Sequence, residues 1–277
     1  MTISGDTQST PDGATPGHVL EAPAKLTLSL RVVGVRNDGF HLIDAEMITL
    51  DLHDSLRISP GPSAISVSGP FAHGVPTSPD NLVVRALQLA NRTATVHIEK
   101  HIPNGGGLGG GSADAAAVLR WAGYTDLEGA SRLGADIPFC MVGGRAHVRG
   151  IGEIVEPFTA DQRLDEPLDI TLVVPPLHVS TPAVYRAWDE LHRGAVRGEP
   201  ASAHDDAGVN DSSDDPNDLQ TAALVVEPQL ARWRDRIREA AGVSPTLAGS
   251  GATWFLRGQH HIGDALHDAT VIVTRNR

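Results

Sequence analysis

The chain has a single cysteine, Cys140, among 277 residues. That excludes an intrachain disulfide framework and any zinc site built from several cysteines, and it fits a reducing compartment, the cytoplasm. No apolar run approaches the roughly 20 residues of a membrane span. Basic residues are outnumbered, 22 against 34 acidic, for a formal charge of −12. Nonspecific binding to nucleic acid or to an anionic membrane is therefore disfavoured, and an anionic ligand has to be held by local donors. Lysine is scarcer still, with only Lys25 and Lys100, so arginine is the default cation. Hydrophobic residues make up 40%, enough for a globular core in one large or two small domains. Residues 1–20 have neither a basic start nor an apolar core, and read as a loose tail and not as a signal peptide.

What is abundant is glycine in one place. Pro103-Asn104-Gly105-Gly106-Gly107-Leu108-Gly109-Gly110-Gly111-Ser112-Ala113 runs into Asp114 and further alanines. Bare backbone N–H groups there can approach an anion closely, and Ser112 is expected to cap a helix whose positive end meets the same anion. Gly105, Gly107 and Gly110 formally satisfy a dinucleotide fingerprint, but Thr95 to Lys100 alternates polar and apolar residues where a Rossmann strand would be continuously apolar. A Walker loop would need Gly-Lys-Ser/Thr, and no lysine follows. The plainer alternative, a flexible linker, does not run without a break into a helix-forming segment.

Lys25 to Val32 alternates, with Leu26, Leu28, Leu30 and Val32 on one face and Lys25, Thr27, Ser29 and Arg31 on the other. This reads as a strand with one buried side, with Lys25 and Thr27 sharing the polar side. A compact ammonium suits a transferring phosphoryl group; a solvated strand lysine is the plainer reading. Asp136 lies in a short loop between Gly134 and Pro138, where it can act as a base or merely cap the next turn. The histidines His97, His101, His260 and His261 lack metal-site spacing, and no nucleophile elbow is present.

Four segments in order carry a family resemblance. Ala22-Pro23-Ala24-Lys25-Leu26 with Asp38-Gly39-Phe40-His41, then the glycine loop, then Leu133 to Phe139, then Gly249-Ser250-Gly251-Ala252-Thr253 resemble the galactokinase, homoserine kinase, mevalonate kinase and phosphomevalonate kinase (GHMP) superfamily. Within it, Gly-Leu-Gly-Gly-Gly-Ser is similar to the diphosphocytidyl methylerythritol kinases, which phosphorylate a hydroxyl of a cytidine-linked sugar alcohol. The resemblance implies an α+β, two-domain GHMP-kinase fold: an N-terminal domain like the second domain of ribosomal protein S5, and a C-terminal ferredoxin-like α/β sandwich. It implies ATP as substrate with Mg2+, Asp136 as catalytic base and Lys25 as its partner, the loop from Pro103 to Ala113 on the nucleotide, and Ser112 as a magnesium ligand. On the acceptor side it implies Phe40 stacking on cytosine, His41 at the base edge, Tyr185 as the opposite face, and Thr27, Gly249, Ser250 and Gly251 near the acceptor. Ordinary core packing is the plainer reading of Phe40 and Tyr185, and a tight hairpin that of the last glycine segment.

Three features depart from the family pattern. Thr27 stands where asparagine is usual, Ala113 replaces a second serine, and the stretch from Ser112 to Asp136, with an expected capping box at Thr125 to Glu128, is short. They keep two alternatives open, a GHMP kinase for another small alcohol and a nucleotide binder without turnover. The expected organisation is a tail at 1–20, an ATP-binding domain at 21–157 and a C-terminal domain at 158–277. An acidic segment at 194–218, with Asp205, Asp206, Asp211, Asp214 and Asp215, reads as a mobile loop. Helices are expected over Asp80–Ala90, Ala183–Leu191 and about Pro228–Ala241, with strands over Leu168–Val174 and Thr270–Thr274.

Overall fold

The computed structural model describes residues 17–159, 167–192 and 215–277. Two long strands, β1 (His18–Val35) and β2 (His41–Ser59), form an antiparallel hairpin closed over Asn37-Asp38-Gly39. Gly39 takes a positive φ of 87° there, as this turn requires. β1 lies along one edge of β2. The other edge pairs with β4 (Thr95–Glu99) at one end and β5 (Arg145–Gly150) at the other. β3 (Ala64–Ser68) and β6 (Ile154–Pro157) complete this six-stranded sheet. β3 and β4 are parallel and are joined through α1 (Leu82–Leu89), whose first turn is capped by the Asn81 side chain accepting from Val83 N–H.

Ala22, Ala24, Leu26, Leu28 and Leu30 are all buried along one face of β1. Against them packs α2 (Gly110–Trp121), whose alanines 113, 115, 116 and 117 are no more than 2% exposed. Small side chains bring the helix axis close to the sheet, so this alanine run serves packing as well as helix propensity. Two short helices, α3 (Leu127–Ser131) and α4 (Ile137–Val142), follow. The expected Thr125 capping box is not formed: Asp126 is the cap, accepting from Gly129 N–H, because the helix starts one residue later than the pattern suggests.

A second sheet is four-stranded and antiparallel, in the order β10 (Thr270–Arg275), β7 (Asp169–Val174), β9 (Trp254–Arg257), β8 (Thr246–Leu247). It is accompanied by α5 (Thr181–Leu191), α6 (Leu219–Val226) and α7 (Gln229–Ala241). Pro182 lies just inside α5, where its fixed φ suits the first turn, while α6 was not foreseen. No helix among the described residues is long and apolar enough to cross a membrane.

Two expected boundaries move. Residues 18–20 are strand and not tail, because β2 is long enough to keep pairing them, His18 to Ile58 and Leu20 to Leu56. The end of the expected mobile loop is fixed: Asn217 bridges Leu30, Asp218 N–H donates to Leu30 C=O at 3.0 Å, and the Asp218 carboxylate takes Arg31 at 2.5 Å and Val32 N–H at 2.9 Å. Residues 1–16 and 193–214 lie outside the described residues, and with them Asp205, Asp206, Asp211 and Asp214.

Candidate active site

Lys25 and Thr27 are not on a solvated face. They are 6% and 3% exposed, because the glycine loop folds over that side of β1, where its Leu108 carbonyl accepts from Lys25 N–H at 3.0 Å. The turn at Gly109 has φ +68°, and a Cβ there would stand 2.8 Å from Lys25 Cγ, so the close approach needs glycine twice over. That left-handed turn also starts α2 at Gly110, with Gly109 as its N-cap. Ser112 is therefore inside the first turn and not the cap that the spelling suggests. The consequence favours anion binding all the same. N–H groups of Gly110, Gly111 and Ser112 precede the first intrahelical bond, from Ala113 N–H to Gly109 C=O at 2.8 Å, and point out of the helix end. A cavity of about 220 Å³ opens over them, lined by the backbone from Pro103 to Ser112 with Leu82, Lys100 and Ile102.

Lys25 Nζ donates to Thr27 Oγ1 at 3.2 Å and lies 3.3 Å from Asp136 Oδ2. Asp136 stands at the N-cap position of α4, yet its side chain makes no capping bond. The carboxylate turns instead to the ammonium, and at 32% exposure it keeps a face open to a ligand while Lys25 is sealed at 7%.

The turn between β8 and β9 meets the glycine loop from the other side. A Cβ on Gly107, φ +77°, would stand 2.6 Å from Ala248 O and 3.0 Å from Gly251 O. A Cβ on Gly249 would lie 3.9 Å from Lys25 Nζ, which places this turn beside the charged pair. The turn is held by Asn217, whose amide donates to Leu247 O at 2.9 Å and Gly249 O at 2.7 Å, while Ser250 Oγ lies 2.7 Å from Thr181 Oγ1. The segment is a hairpin connection, as the plainer reading held, and it also shapes the cleft.

His41 and Tyr185 come together with ring centroids 4.6 Å apart, and Trp188 meets His41 edge-on at 5.7 Å. His41 Nε2 lies 2.7 Å from Asp189 Oδ1. Burial, reinforced by the Asp136 carboxylate, pushes the Tyr185 phenol up to about 12, so it stays neutral and sits within the field of the charged pair. Phe40 is different. It is 57% exposed, with Arg36 at 5.9 Å from its ring, and it does not form a slot with Tyr185; His41 occupies that place. The hairpin alternation explains this, since neighbours 40 and 41 point to opposite sides.

Sequence reasoning passed over Lys100, which is 3% exposed and bonds the buried carboxylates of Asp54 and Asp114. The scarcity of lysine was the available signal, and it was applied only to Lys25. Trp188 and Asp189 were also missed, because their contacts are remote in sequence.

The comparisons with known proteins agree with one another. Residues 81–144 match the GHMP kinases N terminal domain. A 4-diphosphocytidyl-2-C-methyl-D-erythritol kinase of Paracoccus denitrificans (strain Pd 1222) is 42% identical over 247 residues, 87% of each chain. The chain belongs to the 4-diphosphocytidyl-2-C-methyl-D-erythritol kinase family. A family member from Ruegeria pomeroyi (strain ATCC 700808 / DSM 15171 / DSS-3) is 36% identical over 244 residues, 84% of this chain and 86% of that one. A crystal structure of 4-(cytidine 5'-diphospho)-2C-methyl-D-erythritol kinase superposes with a TM-score of 0.67 at 30% identity, covering 94% of this chain and 100% of the other. The mevalonate kinase of L. major shares the fold, with a TM-score of 0.60 at 14% identity. The expected α+β GHMP fold is thereby borne out, and with it an ATP-dependent small-molecule kinase.

Proposed function

We propose that this chain transfers the γ-phosphoryl group of ATP to the 2-hydroxyl of 4-diphosphocytidyl-2-C-methyl-D-erythritol, in non-mevalonate isoprenoid precursor biosynthesis. The observation that carries the mechanism is the Lys25–Asp136 pair, 3.3 Å apart beneath the glycine loop. The first-turn N–H groups of α2 hold the phosphates, aided by the helix dipole. Asp136 takes the proton of the acceptor hydroxyl as its oxygen bonds to the γ-phosphorus and the bond to the ADP oxygen breaks. Lys25 offsets charge developing on the transferring oxygens, and Thr27 Oγ1, accepting from its ammonium, holds it in place.

Among the described residues no group of three or more His, Cys, Asp or Glu side chains is arranged to hold a metal. That fits Mg2+, which binds through one or two protein groups together with substrate phosphates. Ser112 would be its protein ligand; when bound, the ion neutralises charge on the β- and γ-phosphates. The His41–Tyr185–Trp188 group forms an aromatic wall suited to cytosine, with Phe40 at the rim and the turn at Gly249, Ser250 and Gly251 facing the transfer point. We assign residues 18–157 to the ATP-binding domain and 158–277 to the C-terminal domain, the cleft lying between the two glycine turns.

The test is coupled ADP release with magnesium and ATP, comparing diphosphocytidyl methylerythritol, homoserine, mevalonate and no acceptor, with phosphorus NMR of the product. Release dependent on the cytidine compound, with phosphate at the 2-position, is expected. Release with another alcohol alone, or nucleotide binding without any release, would contradict the reading in favour of one of the two alternatives.

A further inference from the structure

The chain's second lysine has no part in the transfer described above, although it touches the same loop. Lys100 Nζ donates to Asp54 Oδ2 on β2 and, at 2.7 Å, to Asp114 Oδ2 on α2. Asp54 is fully buried and Asp114 is 2% exposed. The other oxygen of Asp54 accepts N–H of His101 at 2.5 Å and of Ile102 at 2.8 Å, the two residues that lead into Pro103. A Cβ on Gly110 would stand 3.3 Å from Lys100 Nζ, so the start of α2 rests on the ammonium.

Buried ion clusters often add no more stability than apolar residues of similar volume, so a contribution to folding is a weak explanation for this one. Its geometry is specific. It joins the floor strand β2, the entry of the glycine loop and the second turn of the helix that leaves it. We infer that Lys100, clamped between Asp54 and Asp114, is a positioning residue for the nucleotide: it fixes both ends of the glycine loop so that the N–H groups of Gly110, Gly111 and Ser112 converge on one anion. The inference rests on the reading of that loop as the ATP phosphate site.

The experiment is calorimetric binding of MgADP to the full chain and to Lys100→Met, Asp114→Asn and Asp114→Leu, with KM for ATP and for the acceptor measured alongside. Lys100→Met is expected to weaken MgADP binding and raise the ATP KM at least about tenfold, while the acceptor KM stays within about twofold. Asp114→Asn keeps an oxygen for Lys100 and should bind MgADP within about threefold of the parent, whereas Asp114→Leu removes that acceptor and should weaken binding about tenfold. Parent-like MgADP affinity in folded Lys100→Met, or an equal rise in both KM values, overturns the inference. If Lys100→Met does not fold, the two Asp114 variants decide, and equal MgADP affinity in Asp114→Asn and Asp114→Leu overturns it. A parent that binds MgADP yet phosphorylates no acceptor sinks the kinase assignment and leaves this inference standing; a parent that binds no MgADP sinks both.

Discussion

Both lysines of this chain are buried, both meet carboxylates and both touch the same glycine loop, yet the two sites are built oppositely. Lys25 faces one carboxylate, Asp136, which is 32% exposed. Lys100 faces two, at 0% and 3% side-chain exposure. An open partner can exchange a proton with a ligand; a sealed one can only hold a position. The difference shows that a charge pair is read as chemistry from the exposure of its acidic member, not from burial of the lysine, which the two sites share.

The comparison can be broken first at Lys25. Lys25→Met should lower turnover about 10³-fold, since it removes charge stabilisation in the transition state, while MgADP affinity changes little; stopped-flow ADP release and calorimetry separate the two. Gly109→Ala comes next. A methyl group at φ +68° directed at Lys25 Cγ displaces the ammonium, and a shift of about 1 Å should cost about 10²-fold in turnover with the fold retained by circular dichroism.

At the sealed site, beside the effect on nucleotide binding, the pH dependence of stability carries a second signature. Asp114 has a folded pKa of about 7, raised from 3.8. The folded state therefore holds that proton more tightly than the unfolded chain, and stability falls as pH rises from about 4 to about 7, then levels off. Thermal unfolding of Asp114→Asn should show a shallower decline over that window than the parent; parallel curves would contradict the assignment. The smallest effects belong to the aromatic wall. Tyr185→Leu should raise the acceptor KM about tenfold, and exposed Phe40→Leu only about threefold, with the ATP KM unchanged in both.

The parts of this site legible in the sequence were those written locally. The glycine run, the alternation around Lys25 and the short loop at Asp136 each carry their signal within a dozen residues. Ser112 misled as a cap because a left-handed turn at Gly109 starts the helix three residues early, and nothing in the spelling fixes the sign of φ at one glycine among six. The exposure of Phe40 was not legible, because it follows from its place at the hairpin tip. The Lys100 cluster was invisible for a different reason: its partners lie 46 and 14 residues away, so only the folded sheet and helix bring them together. Likewise, Asn217 closes an acidic stretch that reads as loop, yet it bonds carbonyls 30 and 32 residues further on. The fold class was readable because four motifs in order are hard to produce by chance, whereas α6 shows no strong amphipathic pattern to announce it.

The most direct measurement of the central claim is turnover of Asp136→Asn with diphosphocytidyl methylerythritol, magnesium and ATP, beside its MgADP affinity. A fall of about 10²-fold to 10⁴-fold with MgADP affinity within a few-fold of the parent is predicted for the loss of a general base. Turnover close to that of the parent would contradict the account, and would leave Lys25 and the glycine loop as a binding site whose chemistry is done by other residues.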